Sequence, residues 1–152
     1  MNISDALAPD HILLDQSAAS HDALLDLLAQ AASERLGLPE GGIREALLAR
    51  EALGTTGIGG GIAIPHAALA GVKKPFLMPV RLRKSVAVEA MDEAPVDLVF
   101  LGLFPVDDQA SVLKLMSAVT RRLKEDDVAE TLRKAEGPDE VFAALTRPET
   151  GQ

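Results

Sequence analysis

Three histidines, His11, His21 and His66, are the side chains of this chain that ordinarily titrate near neutral pH. There is no Cys and no Tyr, so covalent chemistry at neutral pH falls most naturally to an imidazole nitrogen. His11 and His21 stand near element starts, without Gly-rich or basic company, and read as surface or capping residues. The three lack an H-x-x-x-H or H-x-E spacing, which argues against a metal site. His66 has a different setting. It closes the run Gly54-Thr-Thr-Gly-Ile-Gly-Gly-Gly-Ile-Ala-Ile-Pro-His66, with five glycines in eight positions. Glycine loses more freedom on folding than any other residue, so the run suits a backbone that takes positive φ or approaches a ligand closely. Consecutive N–H groups over Gly57, Gly59 and Gly61 can cradle an anion, and the Thr55 and Thr56 hydroxyls add donors. Pro65 forces Ile64 to be extended, so His66 leaves a stiff strand end that suits a nucleophile. A helix stop with a hairpin loop is the alternative reading. No Gly-Lys-Thr/Ser follows, so this is not a P-loop, and the glycines do not form the G-x-G-x-x-G dinucleotide fingerprint.

The elements around this run must hold it. Ile12–Asp15 reads as a short strand. Ser20 suits an N-cap, followed by an apolar stripe of Leu24, Leu25, Leu28, Ala31 and Ala32 that stops near Gly37. Pro39 opens a second helix, carried by Ile43, Ala46, Leu47 and Leu48 to Leu53 and ended by Gly54. The period then changes. Gly61–Pro65 reads as a short strand, Pro75–Arg83 as a strand whose two prolines suggest an edge or a bulge, and Ser85–Glu89 as another. Val96–Phe104, VDLVFLGLF, is almost continuously apolar and reads as an inner strand covered on both faces. After Pro105, Asp107 or Asp108 caps a helix to Leu123 with the stripe Val112, Leu115, Met116, Val119 and Leu123. Lys114, Arg121 and Arg122 fall off that stripe. Shorter helices fit Asp127–Ala135 and Pro138–Leu145. Helices on both sides of an extended centre predict a single three-layer α/β domain over residues 1–146, with 147–152 as a short polar tail.

Composition bounds the partners. The chain has 152 residues, 47% hydrophobic and 3% aromatic, with 23 acidic residues against 15 basic ones and a net charge of −8. This length supports one core without disulfide or metal staples. The acidic surface repels phosphate backbones and anionic membranes, so nucleic acid is excluded and a protein with a cationic face is favoured. No signal segment and no apolar run near the roughly 20 residues of a membrane span is present. The expected location is cytoplasmic, with no direct membrane insertion.

Nine positions at fixed spacing carry a resemblance: Glu51, Ile58, Gly59, Ile62, Ala63, Ile64, Pro65, His66 and Ala67. They fill without mismatch the signature of the enzyme IIA component, mannitol/fructose type, of the phosphoenolpyruvate-dependent sugar phosphotransferase system. That type includes nitrogen-regulatory members, and a stand-alone chain leans towards that branch. Ala49-Arg50-Glu51, Val88-Glu-Ala-Met-Asp92 and Pro95-Val-Asp-Leu98 extend the likeness over roughly residues 2–146. The resemblance implies a mixed, mostly parallel sheet flanked by helices. It implies that His66 carries a phosphoryl group and that Arg50 is an active-site arginine neutralising phosphoryl oxygens. It further implies a histidine-phosphorylated phosphocarrier protein as donor, an enzyme IIB or a regulated protein as acceptor or target, and no cofactor or metal.

One departure stands out. The family usually has a second active-site histidine, in a His-Leu pair early in the helix after the long strand. Counting from Pro105 places Val112-Leu113 there, and Gln109 and Lys114 are the nearest polar candidates. Valine cannot donate to a phosphoryl oxygen. The expectations are therefore a phosphocarrier on His66 or a divergent regulatory binding module with weak transfer. An unrelated domain holding a small anion at the glycine loop is the third reading.

Overall fold

The computed structural model describes residues 1–54, 56–88 and 94–148. The Thr55 donor, the end of the strand expected at Ser85–Glu89, the stretch from Glu89 to Asp92 and the end of the polar tail lie outside these.

Two short 3₁₀ turns, Ile3–Asp5 and Pro9–His11, lead into β1, Leu13–Gln16. Helix α1, His21–Leu36, starts where Ser20 Oγ accepts the Ala23 N–H (3.1 Å) and stops at Gly37, whose φ of +70° is the left-handed C-terminal cap. Pro39 precedes α2, Glu40–Glu51, which ends two residues before Leu53. Three short strands follow: β2 (Gly57–Gly59), β3 (Ile62–Ala63) and β4 (His66–Ala68). The long strands are β5, Phe76–Val86, and β6, Val96–Phe104. Asp108, rather than Asp107, caps α3, Gln109–Lys124, by accepting the Ser111 N–H (3.2 Å). Helices α4, Val128–Lys134, and α5, Pro138–Thr146, complete the chain.

The sheet runs β1-β5-β6-β3-β2, and β4 pairs with β6 beyond β3. β1–β5, β3–β6 and β4–β6 are parallel, whereas β5–β6 and β2–β3 are antiparallel. β6 is the inner strand that its apolar run predicts. Leu98, Phe100 and Phe104 share a core with Leu115, Val119 and Leu123 of α3 and with α4 and α5, while Val99, Leu101 and Leu103 share a second core with α1 and α2. This is the expected three-layer α/β domain with a mixed sheet.

Two strand expectations change. β5 is a single strand through Val86 rather than two, and it is inner rather than edge, lying between β1 and β6. Its Pro79 sits opposite Phe100. The Leu77 N–H goes to the Ala6 oxygen (2.9 Å), away from β6. Pro79, two residues on, turns its nitrogen to that same side, just before β1 begins opposite Val80. The missing donor therefore costs no bond to β6. The register with β6 runs unbroken through Pro79, and the one shift falls beyond both prolines, between Arg81 and Val86.

Arg122, which falls off the apolar stripe of α3, is the other surprise. It is 6% exposed. Its Nη1 and Nη2 donate to the oxygens of Ala144 (3.1 Å) and Arg147 (2.6 Å), and its Nε reaches Glu125 Oε2 (3.2 Å). It thereby ties α3 to the end of α5, whose last carbonyls need donors. Arg122→Met is expected to lower stability by about 2 kcal/mol, the scale of charge-assisted hydrogen bonds. A urea unfolding midpoint equal to that of the parent would mark Arg122 as dispensable.

Candidate functional site

His66 is placed by the edge of β6. β3 and β4 tile one edge of that strand in succession, Ile62 opposite Leu98 and His66 opposite Gly102. Pro65 interrupts them, yet its carbonyl accepts the Gly102 N–H (2.9 Å), so the chain stays in register through the break. The His66 Nδ1 lies 2.9 Å from the Ile64 oxygen. A carbonyl only accepts, so Nδ1 carries the proton and Nε2 is left with its lone pair. Burial is the largest influence on the ring and pushes its pKa below the ordinary 6.5. The Ile64 bond works in the opposite direction, and the Arg50 charge adds to the lowering. The result at neutral pH is an uncharged imidazole with a fixed tautomer and Nε2 as its nucleophilic nitrogen.

Opposite the imidazole lies an open groove along α3, lined by Val112, Leu113, Met116, Ser117, Thr120 and Arg121. Val112 thus shares the groove with His66, as the count from Pro105 implies. Gln109 and Lys114, the polar candidates named from sequence, are exposed and do not line it. Ser117, Thr120 and Arg121 do, one to two turns further along, and sequence reasoning missed them. Their spacing from Leu113 at i+4, i+7 and i+8 marks one helix face, but that face is polar and stands beside the apolar stripe.

Arg50 sits in the last turn of α2, and its Nη1 donates to the Gly54 oxygen (3.2 Å). Its charge acts on His66 as the smallest of the three influences on the ring, so the two expected residues are within electrostatic range of each other. Thr56 is buried, and its carbonyl accepts the Ile64 N–H (2.9 Å). Gly57 pairs with Ala63 at the same end of the β2–β3 hairpin.

Gly59 and Gly61 are placed differently, and here the expectation needs correction. They belong to a turn, Gly59 to Gly61, with φ of +65° to +89°. This turn lies at the Leu98 end of β6, four residues from Gly102, a separation of about 13 Å at 3.3 Å per residue. Two of its carbonyls are engaged there. The Gly61 oxygen accepts from Asp97 N and Leu98 N, and the Gly60 oxygen accepts from Arg133 Nη2 (2.6 Å). A Cβ on Gly61 would stand 2.8 Å from Arg133 Nη2 and 3.1 Å from Asp97 Oδ1. The left-handed φ of +80° is what requires glycine here, and the nearest groups are those of the Asp97–Arg133 ion pair.

Gly102 is a site residue that sequence reasoning passed over. A Cβ there would meet Met116 Cε at 2.9 Å, Phe104 Cε2 at 3.0 Å and His66 Cβ at 3.4 Å. Its bare backbone lets the histidine lie against α3. A lone glycine within an otherwise bulky inner strand was the available signal. Gly102→Ala is expected to cost about 1–3 kcal/mol, the usual range for overpacking a full core, and to displace the imidazole. Thermal unfolding together with the His66 ring resonances would check this, and an unchanged spectrum would show that Met116 alone absorbs the methyl group.

Fold and site together define a three-layer α/β domain that presents one backbone-oriented histidine within electrostatic range of an arginine. Residues 5–147 match the family described as phosphoenolpyruvate-dependent sugar phosphotransferase system, EIIA 2, and the chain belongs to that family. A relative from Bradyrhizobium diazoefficiens named nitrogen regulatory protein is 39% identical over 148 residues, 97% of each chain. The crystal structure of nitrogen regulatory protein IIA-Ntr from Neisseria meningitidis superposes with a TM-score of 0.89 at 33% identity, covering 95% of this chain and 99% of that one. The mannitol enzyme IIA of Escherichia coli, solved in complex with phosphorylated enzyme IIB, shares the fold at a TM-score of 0.76 and 20% identity over 91% and 96% of the two chains. Among the described residues, no helix is long and apolar enough to cross a membrane.

Proposed function

We propose that this chain is a phosphohistidine carrier with a regulatory output, accepting a phosphoryl group on His66 from a histidine-phosphorylated phosphocarrier protein. The observation that carries the reading is the Nδ1–Ile64 bond, which leaves Nε2 as the one ring nitrogen able to attack phosphorus. In the transfer, the Nε2–P bond forms as the P–N bond of the donor breaks, and the donor imidazole leaves with the electron pair. Such transfer depends on positioning and charge stabilisation. Arg50 supplies charge to the equatorial oxygens, and the Ile64 carbonyl stabilises the ring as positive charge develops. Leu113, 70% exposed on the rim of the groove, gives a protein donor an apolar anchor. An enzyme IIB or a regulated protein is the acceptor; the co-structure of the mannitol relative with phosphorylated enzyme IIB is the analogy for the first.

The test is incubation with phosphoenolpyruvate, enzyme I and the phosphocarrier protein, read by intact mass. One acid-labile phosphoryl group that disappears in His66→Ala is the expected result. No gain, or a gain that survives that substitution, overturns the reading.

Val112 favours a second reading, a regulatory binding module in which transfer is slow. It places an aliphatic side chain in the groove where the family usually has a hydrogen-bond donor.

A further inference from the structure

We infer that His21 and Glu51 form a positioning pair that holds the last turn of α2, and with it Arg50, against α1. The inference rests on the phosphocarrier reading for its functional meaning and on geometry for its structure. The last turn of α2 is poorly held by packing. The buried residues of the helix are Ile43 and Leu47, whereas Leu48, Ala49, Arg50 and Glu51 are exposed or half-buried. A cavity of about 440 Å³, lined by Leu24, Leu25, Leu28 and Leu48 among others, runs under this turn. Dispersion contacts between the two helices are therefore missing at the place where they would fix Arg50.

His21 and Glu51 sit on the rim of that cavity. His21 is the first residue of α1 and Glu51 the last of α2, and His21 Nε2 lies 3.1 Å from Glu51 Oε2. Among the described residues, Arg44 also ties the two helices, to Asp26 and, at 3.8 Å, to Asp22, but it lies nearly two turns before Arg50 on α2. The α1 end is rigid, because Ser20 caps it and Leu24, Leu25 and Leu28 are buried. The pair thus fastens a loosely packed turn to a fixed base, one residue from Arg50. The first position of the nine-residue signature acquires a physical role: its carboxylate faces α1 and aims its neighbour. His21, which reads as a bland helix-start residue in sequence, becomes its partner.

The experiment compares His21→Ala and His21→Gln with the parent chain. Glutamine places an amide nitrogen near the position of Nε2 and keeps the hydrogen bond. Two quantities are read: the rate of phosphoryl transfer to His66, and the pH at which the His66 ring titrates by NMR in the unphosphorylated protein. His21→Ala is expected to slow transfer about tenfold, since small misplacements of a positioning group are costly. It is also expected to raise the His66 titration pH, because a displaced Arg50 opposes ring protonation less. His21→Gln should restore both. A His66 titration unmoved in His21→Ala overturns the inference, as does a parental transfer rate or a failure of glutamine to rescue. If the parent itself gains no phosphoryl group, the carrier reading fails while the titration still decides this one. If His21→Ala does not fold, Glu51→Ala is read in the same way.

Discussion

Val112→His is expected to speed phosphoryl transfer to His66 by roughly 10²-fold, because a positioned donor to developing charge is typically worth 10²–10³ in rate. The position is suited to the role. Val112 lies in the first turn of α3, four residues after the Asp108 cap whose oxygen accepts its N–H (3.3 Å), and it shares the groove with His66. The positive end of the helix dipole disfavours a charged imidazole there, so the new ring would act as a neutral N–H donor. Its half-buried site at the margin of the core limits the stability cost. Single-turnover transfer from the phosphocarrier, followed over a range of donor concentrations, separates the chemical step from docking. A rise in the maximal rate with unchanged half-saturation identifies stabilisation in the transition state alone. A parental chain that is already fast and gains nothing would show that Arg50 and the backbone suffice, and the slow-transfer regulatory reading would be rejected.

The sequence was most legible where local chemistry and periodicity agree. Ser20, Gly37 and Asp108 are caps in the structure because their side chains or backbone freedom satisfy helix ends without help from distant residues. β6 announced itself by an apolar run that both helical layers need. β4 was invisible, because Pro65 looks like a strand end, and only the edge of β6, distant in sequence, shows that pairing resumes at His66. Pro79 misled for a related reason: proline is costly in an inner strand unless its nitrogen faces a gap, and the gap before β1 is a tertiary fact. The glycine run suits either an anion cradle or a helix stop with a hairpin loop, and the β2–β3 hairpin is present. In the structure it divides, with Gly57 near the Ile64–His66 end and Gly61 packed against Arg133 and Asp97. Arg122, Gly102 and the His21–Glu51 bond share a single obscurity, since each is defined by a partner that no spacing reveals. The histidine itself was legible because Pro-His after an apolar strand and a costly glycine run is a local conjunction.

Removing the charge at residue 50 should slow transfer by 10²–10³-fold, on the scale of losing a preorganised stabiliser of developing charge. Arg50→Met keeps the length of the side chain and loses the guanidinium. Arg50→Lys keeps a charge and loses the planar fork that meets two phosphoryl oxygens, so it should recover only part of the rate. The pH dependence separates two roles of the residue. Only the neutral ring attacks, so activity falls as pH drops through the His66 pKa. In the parent chain that pKa lies below 6.5, through burial first and the Arg50 charge as a smaller contribution, which keeps the nucleophile uncharged into mildly acidic solution. Without the cation, protonation is easier, so the acid limb of the rate profile should move to higher pH. Burial persists, which keeps the limb below its ordinary position. In Arg50→Met, a lower plateau rate at alkaline pH, where the ring is neutral in every variant, isolates the loss of transition-state charge. A plateau equal to that of the parent would confine Arg50 to tuning the imidazole and would remove it from contact with the phosphoryl group.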